Sequence, residues 1–219
     1  FIGVLFSCGL DEVYIDVYDP EQERIDSINQ RKSDIEIIYS YLESKEIQTV
    51  DTTDEGVFYS ILDYGSSEII PETNDIISLN LSAFYTTDSI YNTVDSIDLV
   101  FFDTNIQSIA ENAGIFDESK FYIPLTYTYN GDGTFFPVVS DHGYLALLSD
   151  FKKALGFSLS KIGEEGKIKI LMPSGNGYGE NGNVNTPVIP GNSVLIFDIH
   201  LIKIRKWKKF VLLLQIRTK

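Results

Sequence analysis

Met172-Pro173-Ser174-Gly175-Asn176-Gly177-Tyr178-Gly179-Glu180-Asn181-Gly182, followed after a short gap by Val188-Ile189-Pro190-Gly191-Asn192-Ser193-Val194-Leu195-Ile196-Phe197-Asp198-Ile199, is the stretch on which the fold turns. Its first part is dense in glycine and asparagine and reads as a loop. Its second part leaves an Ile-Pro-Gly-Asn turn and enters a run of β-branched and aromatic residues, the signature of a strand, which we extend from Ser193 to Ile204. The glycines of the loop lack the lysine of a phosphate-binding loop, which argues against a nucleotide site.

Working back from this stretch, further strands are expected over Val57 to Leu62, Ile76 to Tyr85, Leu99 to Phe102, Phe121 to Tyr129 and Lys167 to Met172. Turn residues separate them at Asp63-Tyr64-Gly65-Ser66 and Asn130-Gly131-Asp132-Gly133. The second of these resembles a calcium loop but lacks its bidentate glutamate, so a hairpin turn is the better reading. Two helices interrupt the strands. One is expected after Thr104 as cap, carrying Ile106, Ile109, Ala110 and Ala113 and stopped by Gly114. The other follows Ser149 or Asp150 and carries Phe151, Leu155, Leu159 and Ile162, stopped by Gly163. Strands in this number with short helices predict an α+β domain on a mostly antiparallel sheet.

The 219 residues suit one principal domain. With 32 acidic against 17 basic residues and a net charge of −15, nucleic acid is not an expected partner, because phosphate binding needs clustered Lys and Arg. The single cysteine, Cys8, excludes an intramolecular disulfide and a cysteine metal cluster. Phe1 to Ser7 reads as the end of an apolar signal segment, and Leu5-Phe6-Ser7-Cys8 looks like a lipobox whose thiol receives a lipid, with chain expected upstream of Phe1. The alternative is a buried first strand ending in a buried cysteine.

Residues 9–50 read as an acidic tether and helical spacer or lean-to. Asp19-Pro20 starts a helix, and Ser33-Asp34-Ile35-Glu36 has capping-box spacing ahead of Ile38, Tyr39 and Leu42, so one long or two short helices are expected over about 20 to 46. Residues 205–219 form a basic, apolar tail, far short of the roughly 20 residues that cross a bilayer. A surface-lying tail, an extra edge strand and a sequence artefact stay open for it. His142 and His200 are the histidines of the chain; His200 is expected to face away from the Phe197 side of its strand, and no Gly-x-Ser-x-Gly elbow supports a Ser-His-Asp triad.

In order and spacing, the loop and last strand closely resemble the C-terminal third of FKBP-type prolyl isomerases: a proline-serine loop, a Tyr-Gly pair, a glycine-rich loop, an Ile-Pro step and a strand ending in Phe-Asp. Upstream, Phe102-Asp103-Thr104, Pro124-Leu125-Thr126-Tyr127, Phe151-Lys152-Lys153-Ala154-Leu155, Gly163-Glu164-Glu165-Gly166-Lys167 and Gly56-Val57-Phe58-Tyr59 are similar to the family's pattern in the same order. Insertions fall between Tyr85 and Leu99 and between Tyr129 and Leu147. The resemblance implies an FKBP-like, mostly antiparallel sheet wrapped on a short central helix, over residues 55–204. With Cys8 it points to a lipoprotein form like those of Bacteroidetes-like bacteria, anchored in the cell envelope on the periplasmic or outer-membrane face.

The activity implied is cis–trans isomerisation of X-Pro bonds in envelope polypeptides, with neither cofactor nor metal. The barrier of about 18–20 kcal/mol comes from amide resonance. An apolar, water-poor cleft favours the less dipolar twisted amide over the planar one. By resemblance, Phe151 is the platform under the proline ring, where the family usually has Trp. Phe102, Tyr127, Ile189 and Phe197 are walls, with Val188 and Leu147 beside them. Tyr178 and the backbone N–H of Leu148 donate to substrate carbonyls, and Asp103 is the carboxylate at the pocket edge. The sequence departs from the family at Leu81, where a pocket Tyr is usual, and at Leu125, where an aromatic is usual; Asn183 lies near a variable position. Phe157 competes with Phe151 as platform, but Phe151 shares a helical face with Leu155, Leu159 and Ile162. A catalytically weak chaperone or binding module on the same fold, and a β-domain adhesin or glycan binder, are the alternatives.

Overall fold

Alternating apolar residues along the chain produce strands that pair antiparallel throughout into one sheet. The computed structural model describes residues 19–66, 68–87, 98–130, 135–137, 149–185 and 187–207. The expectations for Cys8, Leu147, Leu148, His142, residues 131–133 and the tail beyond 207 lie outside the described residues. The described strands are β1 (Asp51–Thr52), β2 (Phe58–Asp63), β3 (Ile76–Thr86), β4 (Leu99–Thr104), β5 (Leu125–Tyr129), β6 (Phe135–Pro137), β7 (Lys167–Met172) and β8 (Leu195–Arg205). Their order is β1-β2-β7-β8-β3-β5-β6, with β4 also on β3. The helices are α1 (Pro20–Ser44), α2 (Gln107–Asn112) and α3 (Ser149–Leu159). The α+β class, the mostly antiparallel sheet and the N-terminal helix are as expected.

Side chains that alternate along a strand reach opposite faces, so β3 and β8 feed two cores. Ile77, Leu79, Leu81 and Ala83 join Leu195, Phe197, Ile199 and Leu201 on the face that receives Phe151, Ala154, Leu155 and Leu159 of α3. Ile196, with Leu171 of β7 and Phe58 of β2, lies on the other face and receives Ile37, Ile38, Tyr41 and Leu42 of α1. His200, on the face opposite Phe197, is partly exposed and meets Glu165 Oε2 at 2.8 Å.

Helix α1 begins as expected, with Asp19 accepting from the backbone N–H of Glu21 at 3.0 Å beside Pro20. It then runs unbroken for 25 residues. Ser33-Asp34-Ile35-Glu36 is therefore helix interior and caps nothing, and Asp34 is turned onto another part of the chain. The C-terminal half of α1 packs on the sheet through Ile37, Ile38, Tyr41 and Leu42, whereas Ile25 and Ile28, farther towards the N-terminus, are exposed.

Three other expectations change. Thr104 belongs to β4 and does not cap α2: its hydroxyl donates to the Leu81 carbonyl at 2.7 Å and accepts from the Ile106 N–H at 3.1 Å. Pro124, which lacks a donor, delays β5 until Leu125. Helix α3 ends at Leu159, and Gly163 is needed for close packing, since a Cβ there would stand 1.6 Å from the Ser66 carbonyl oxygen.

Along β3 the same edge is shared by two partners, β5 over Ile76 to Leu79 and β4 over Ser82 to Thr86. Asn105 closes the seam. Its Oδ1 accepts from the Leu81 N–H at 2.7 Å, and its Nδ2 donates to the carbonyls of Leu79 at 3.2 Å and Ile123 at 2.9 Å. The start of the tail is tied down as well: the Trp207 N–H donates to Asp75 Oδ1 at 2.8 Å, and Lys206 Nζ stands 3.1 Å from Asp75 Oδ2.

Burial predicts how α1 contributes. Ile38 is fully enclosed, so Ile38→Ala should cost about 2–5 kcal/mol in chemical denaturation, whereas Ile25→Ala in the exposed half should stay within about 0.5 kcal/mol.

Candidate functional site

Helix α3 crosses the sheet with Phe151 in its first turn, and the 3.6-residue repeat sends Phe151, Leu155 and Leu159 to one face. Phe151 lies against Phe197 of β8 with ring centroids 4.3 Å apart. Phe102 meets Phe197 edge-on at 6.5 Å. Phe157, the competitor for Phe151, is instead half exposed and packs against Tyr59 at 5.7 Å.

Phe102, Tyr127, Phe151, Ile189 and Phe197 fall in one buried cluster, and Tyr178 packs against it from the loop. The loop is shaped by two 3₁₀ turns, Ser174–Asn176 and Gly179–Asn181, on either side of Tyr178. It is folded back by paired hydrogen bonds between Asn183 and Ile189, each backbone N–H donating to the other's carbonyl at 2.8 Å. Gly182 makes this possible: its φ is 64°, and a Cβ would meet the Ile189 carbonyl oxygen at 2.2 Å. Val188, expected beside the walls, is 65% exposed and lies outside that buried cluster.

Leu81 and Leu125, the two departures, are buried in the same cluster as aliphatic core. The tyrosine beside Phe102 is Tyr85, partly buried, with ring centroids 6.1 Å apart. Sequence reasoning missed it by seeking the tyrosine at 81. The available signal was that Tyr85 shares the odd-numbered, inward phase of Ile77, Leu79, Leu81 and Ala83.

Asp103 is buried at the end of β4 and paired with Lys120. Burial pushes its carboxyl pKa up from the ordinary 3.8, against the opposing pull of the Lys120 ammonium and of a backbone hydrogen bond from Thr104. Tyr178 is also raised, first by burial and then by the Asp103 charge. Burial alone lifts Tyr127 to about 12. All of these tyrosine hydroxyls therefore keep their protons at neutral pH and can donate. Among the described residues no cluster of His, Cys, Asp and Glu could hold a metal ion.

The site thus has a floor of apolar rings and a rim carrying a phenol and a neutralised carboxylate. An uncompensated charge at Asp103 is expensive, so Lys120→Gln should destabilise the fold by about 3 kcal/mol at neutral pH. Because the Asp103 pKa is already raised, the neutral acid is the form that folding favours, and losing Lys120 raises it further. The penalty should shrink as pH falls through that raised value and vanish below the ordinary 3.8. Denaturation midpoints at neutral and acid pH, with a carboxyl titration of Asp103 by NMR, check this.

Comparison with known proteins gives one match in sequence. Residues 147–202, about a quarter of the chain, match the family model of the FKBP-type peptidyl-prolyl cis-trans isomerases. No curated protein matches the chain. Among solved structures the chain is similar to FkpA from Escherichia coli, at 21% identity and a TM-score of 0.38, covering 84% of this chain and 68% of that one. It is also similar to a peptidyl-prolyl cis-trans isomerase from Pseudomonas syringae pv. tomato, at 16% identity and a TM-score of 0.44, covering 82% of this chain and 96% of that one. The segment that supplies Phe151, Tyr178, Ile189 and Phe197 is thus the segment that carries an FKBP-type sequence.

Proposed function

We propose that the chain is a peptidyl-prolyl cis–trans isomerase whose working unit spans residues 55–204. The observation that carries the proposal is the close, tilted contact of Phe151 with Phe197, ring centroids 4.3 Å apart, with Tyr178 packed against the same cluster. Rotation about an X-Pro bond needs no nucleophile. It needs a setting in which the twisted, less dipolar amide is favoured over the planar one. Phe102, Phe151, Ile189 and Phe197 supply the apolar surface, Tyr127 and Tyr85 flank it, and Tyr178 donates to a peptide carbonyl. Asp103, held by Lys120, fixes the polar edge. Leu147 and Leu148 complete the set in the role the family resemblance gives them, the Leu148 N–H as second carbonyl donor. Phe151 and Phe197 are each 1% exposed, so a proline ring reaches them only as rim side chains move aside.

The substrates in this proposal are proline-containing polypeptides of the cell envelope, reached from a lipid on Cys8. That part rests on the Leu5-Phe6-Ser7-Cys8 string, and mass spectrometry of the cellular protein should find a thioether-linked lipid on Cys8.

The enzymatic reading is tested by NMR exchange or protease-coupled kinetics on a prolyl peptide. The wild-type chain should accelerate isomerisation, and Tyr178→Phe should lose roughly five- to tenfold in kcat/KM, the worth of one neutral hydrogen bond. A wild-type rate equal to the thermal rate at micromolar protein would defeat it. The aliphatic Leu81 and Leu125 favour the second reading, a binding module on the same fold. Suppressed aggregation of an unfolded client without isomerisation would select that one.

A further inference from the structure

We infer that α1 is a positioning element of the cleft, acting through Arg31 and Asp34; this rests on the isomerase reading above. Asp34 is 1% exposed, and its Oδ2 accepts both the backbone N–H of Ser174 at 2.8 Å and the Ser174 hydroxyl at 2.7 Å. Its other oxygen accepts from Gln30 Nε2 at 2.8 Å. A carboxylate enclosed in this way, with both oxygens engaged, ties the beginning of the Tyr178 loop to a helix 140 positions away in sequence.

One turn earlier, Arg31 makes a second tie. One guanidinium nitrogen donates to Asn176 Oδ1 at 2.6 Å and the other to the Gly56 carbonyl at 2.7 Å. Asn176 passes the constraint on, because its Nδ2 donates to Asp150 Oδ2 at 2.9 Å and to the Glu55 carbonyl at 3.1 Å. Asp150 is the neighbour of Phe151 in the first turn of α3. The arginine's planar fork can hold Asn176 and Gly56 together, which a lysine cannot do. One side chain of α1 therefore orients the residue that links the Tyr178 loop to the Phe151 turn.

None of this is needed to hold α1 on the sheet. Ile37, Ile38, Tyr41 and Leu42 do that from the second core, so the polar ties can be cut without releasing the helix. What they set is the relative placement of phenol and ring, and misplacement by about 1 Å can cost as much as about a hundredfold in rate.

The experiment uses the full chain labelled with fluorotyrosine, the Tyr178 resonance being assigned by Tyr178→Phe. In Arg31→Met, the Tyr178 resonance should shift or broaden while that of Tyr41 on the second core stays in place. In the same variant kcat should fall about tenfold with KM nearly unchanged, since the walls stay on the sheet and a transition-state contact is weakened. Arg31→Lys should recover part of both effects. Asp34→Asn, which keeps the shape but weakens the charge-assisted bonds to Ser174, should move the same resonance.

A Tyr178 resonance unmoved in Arg31→Met and Asp34→Asn overturns the inference. So does a moved resonance with unchanged kcat in an active enzyme. If the wild-type chain itself shows no isomerase activity, the functional reading falls and the positioning of catalysis falls with it. The resonance then shows whether the ties alone are real.

Discussion

The pairing of β8 with β3 is the constraint on which the rest depends. These are the longest of the described strands, eleven residues each, and they pair from Ile76–Arg205 to Tyr85–Leu195. Because a strand presents alternate residues to opposite faces, this one ladder builds both hydrophobic clusters. Phe197 is sent to α3, and Ile196 next to it to α1. Shifting β8 by one residue would exchange those roles and dismantle both cores together.

The charged side chains respect the same division. Lys169 and Asp198 pair on the α1 side of β7 and β8, and Lys169 also lies over the Tyr41 ring at 5.4 Å, so α1 covers an ion pair as well as apolar surface. On the α3 side of the sheet Asp103 is paired with Lys120. In a chain of net charge −15, each buried carboxylate among the described residues meets a cation or several donors: Asp103 has Lys120, Asp75 has Lys206 and the Trp207 N–H, and Asp34 has Ser174 and Gln30. Excess acidity is left at the surface, where water screens it.

What could be read in the sequence was whatever is written in adjacent residues. Phe102-Asp103, the loop through Tyr178, the Ile189-Pro190 step and Phe197-Asp198 are strings whose order survives folding, and the strand and helix patterns around them set the α+β class. Phe151 was separable from Phe157 because helical spacing is a local rule. Tyr85 was not found because the family pattern drew attention to position 81, although β3 alternates without a break from Ile77 to Tyr85; the register shifts place their extra residues in β8 and β4. Thr104 and the buried Asp34 show the complementary case. Thr104, read as a cap, and Asp34, read only as part of a capping box, both spend their side chains on long-range partners, Leu81 and Ser174, that no nearby residue betrays.

The seam at Asn105 has a consequence of a different kind. A strand whose partner changes half-way along leaves backbone groups at the junction that another polypeptide could pair with, and unpaired edges of this sort invite aggregation. Here one carboxamide occupies the Leu81 N–H and the Leu79 carbonyl. A protein proposed to handle extended, unfolded chains has thereby closed the gap in its own sheet to strand addition.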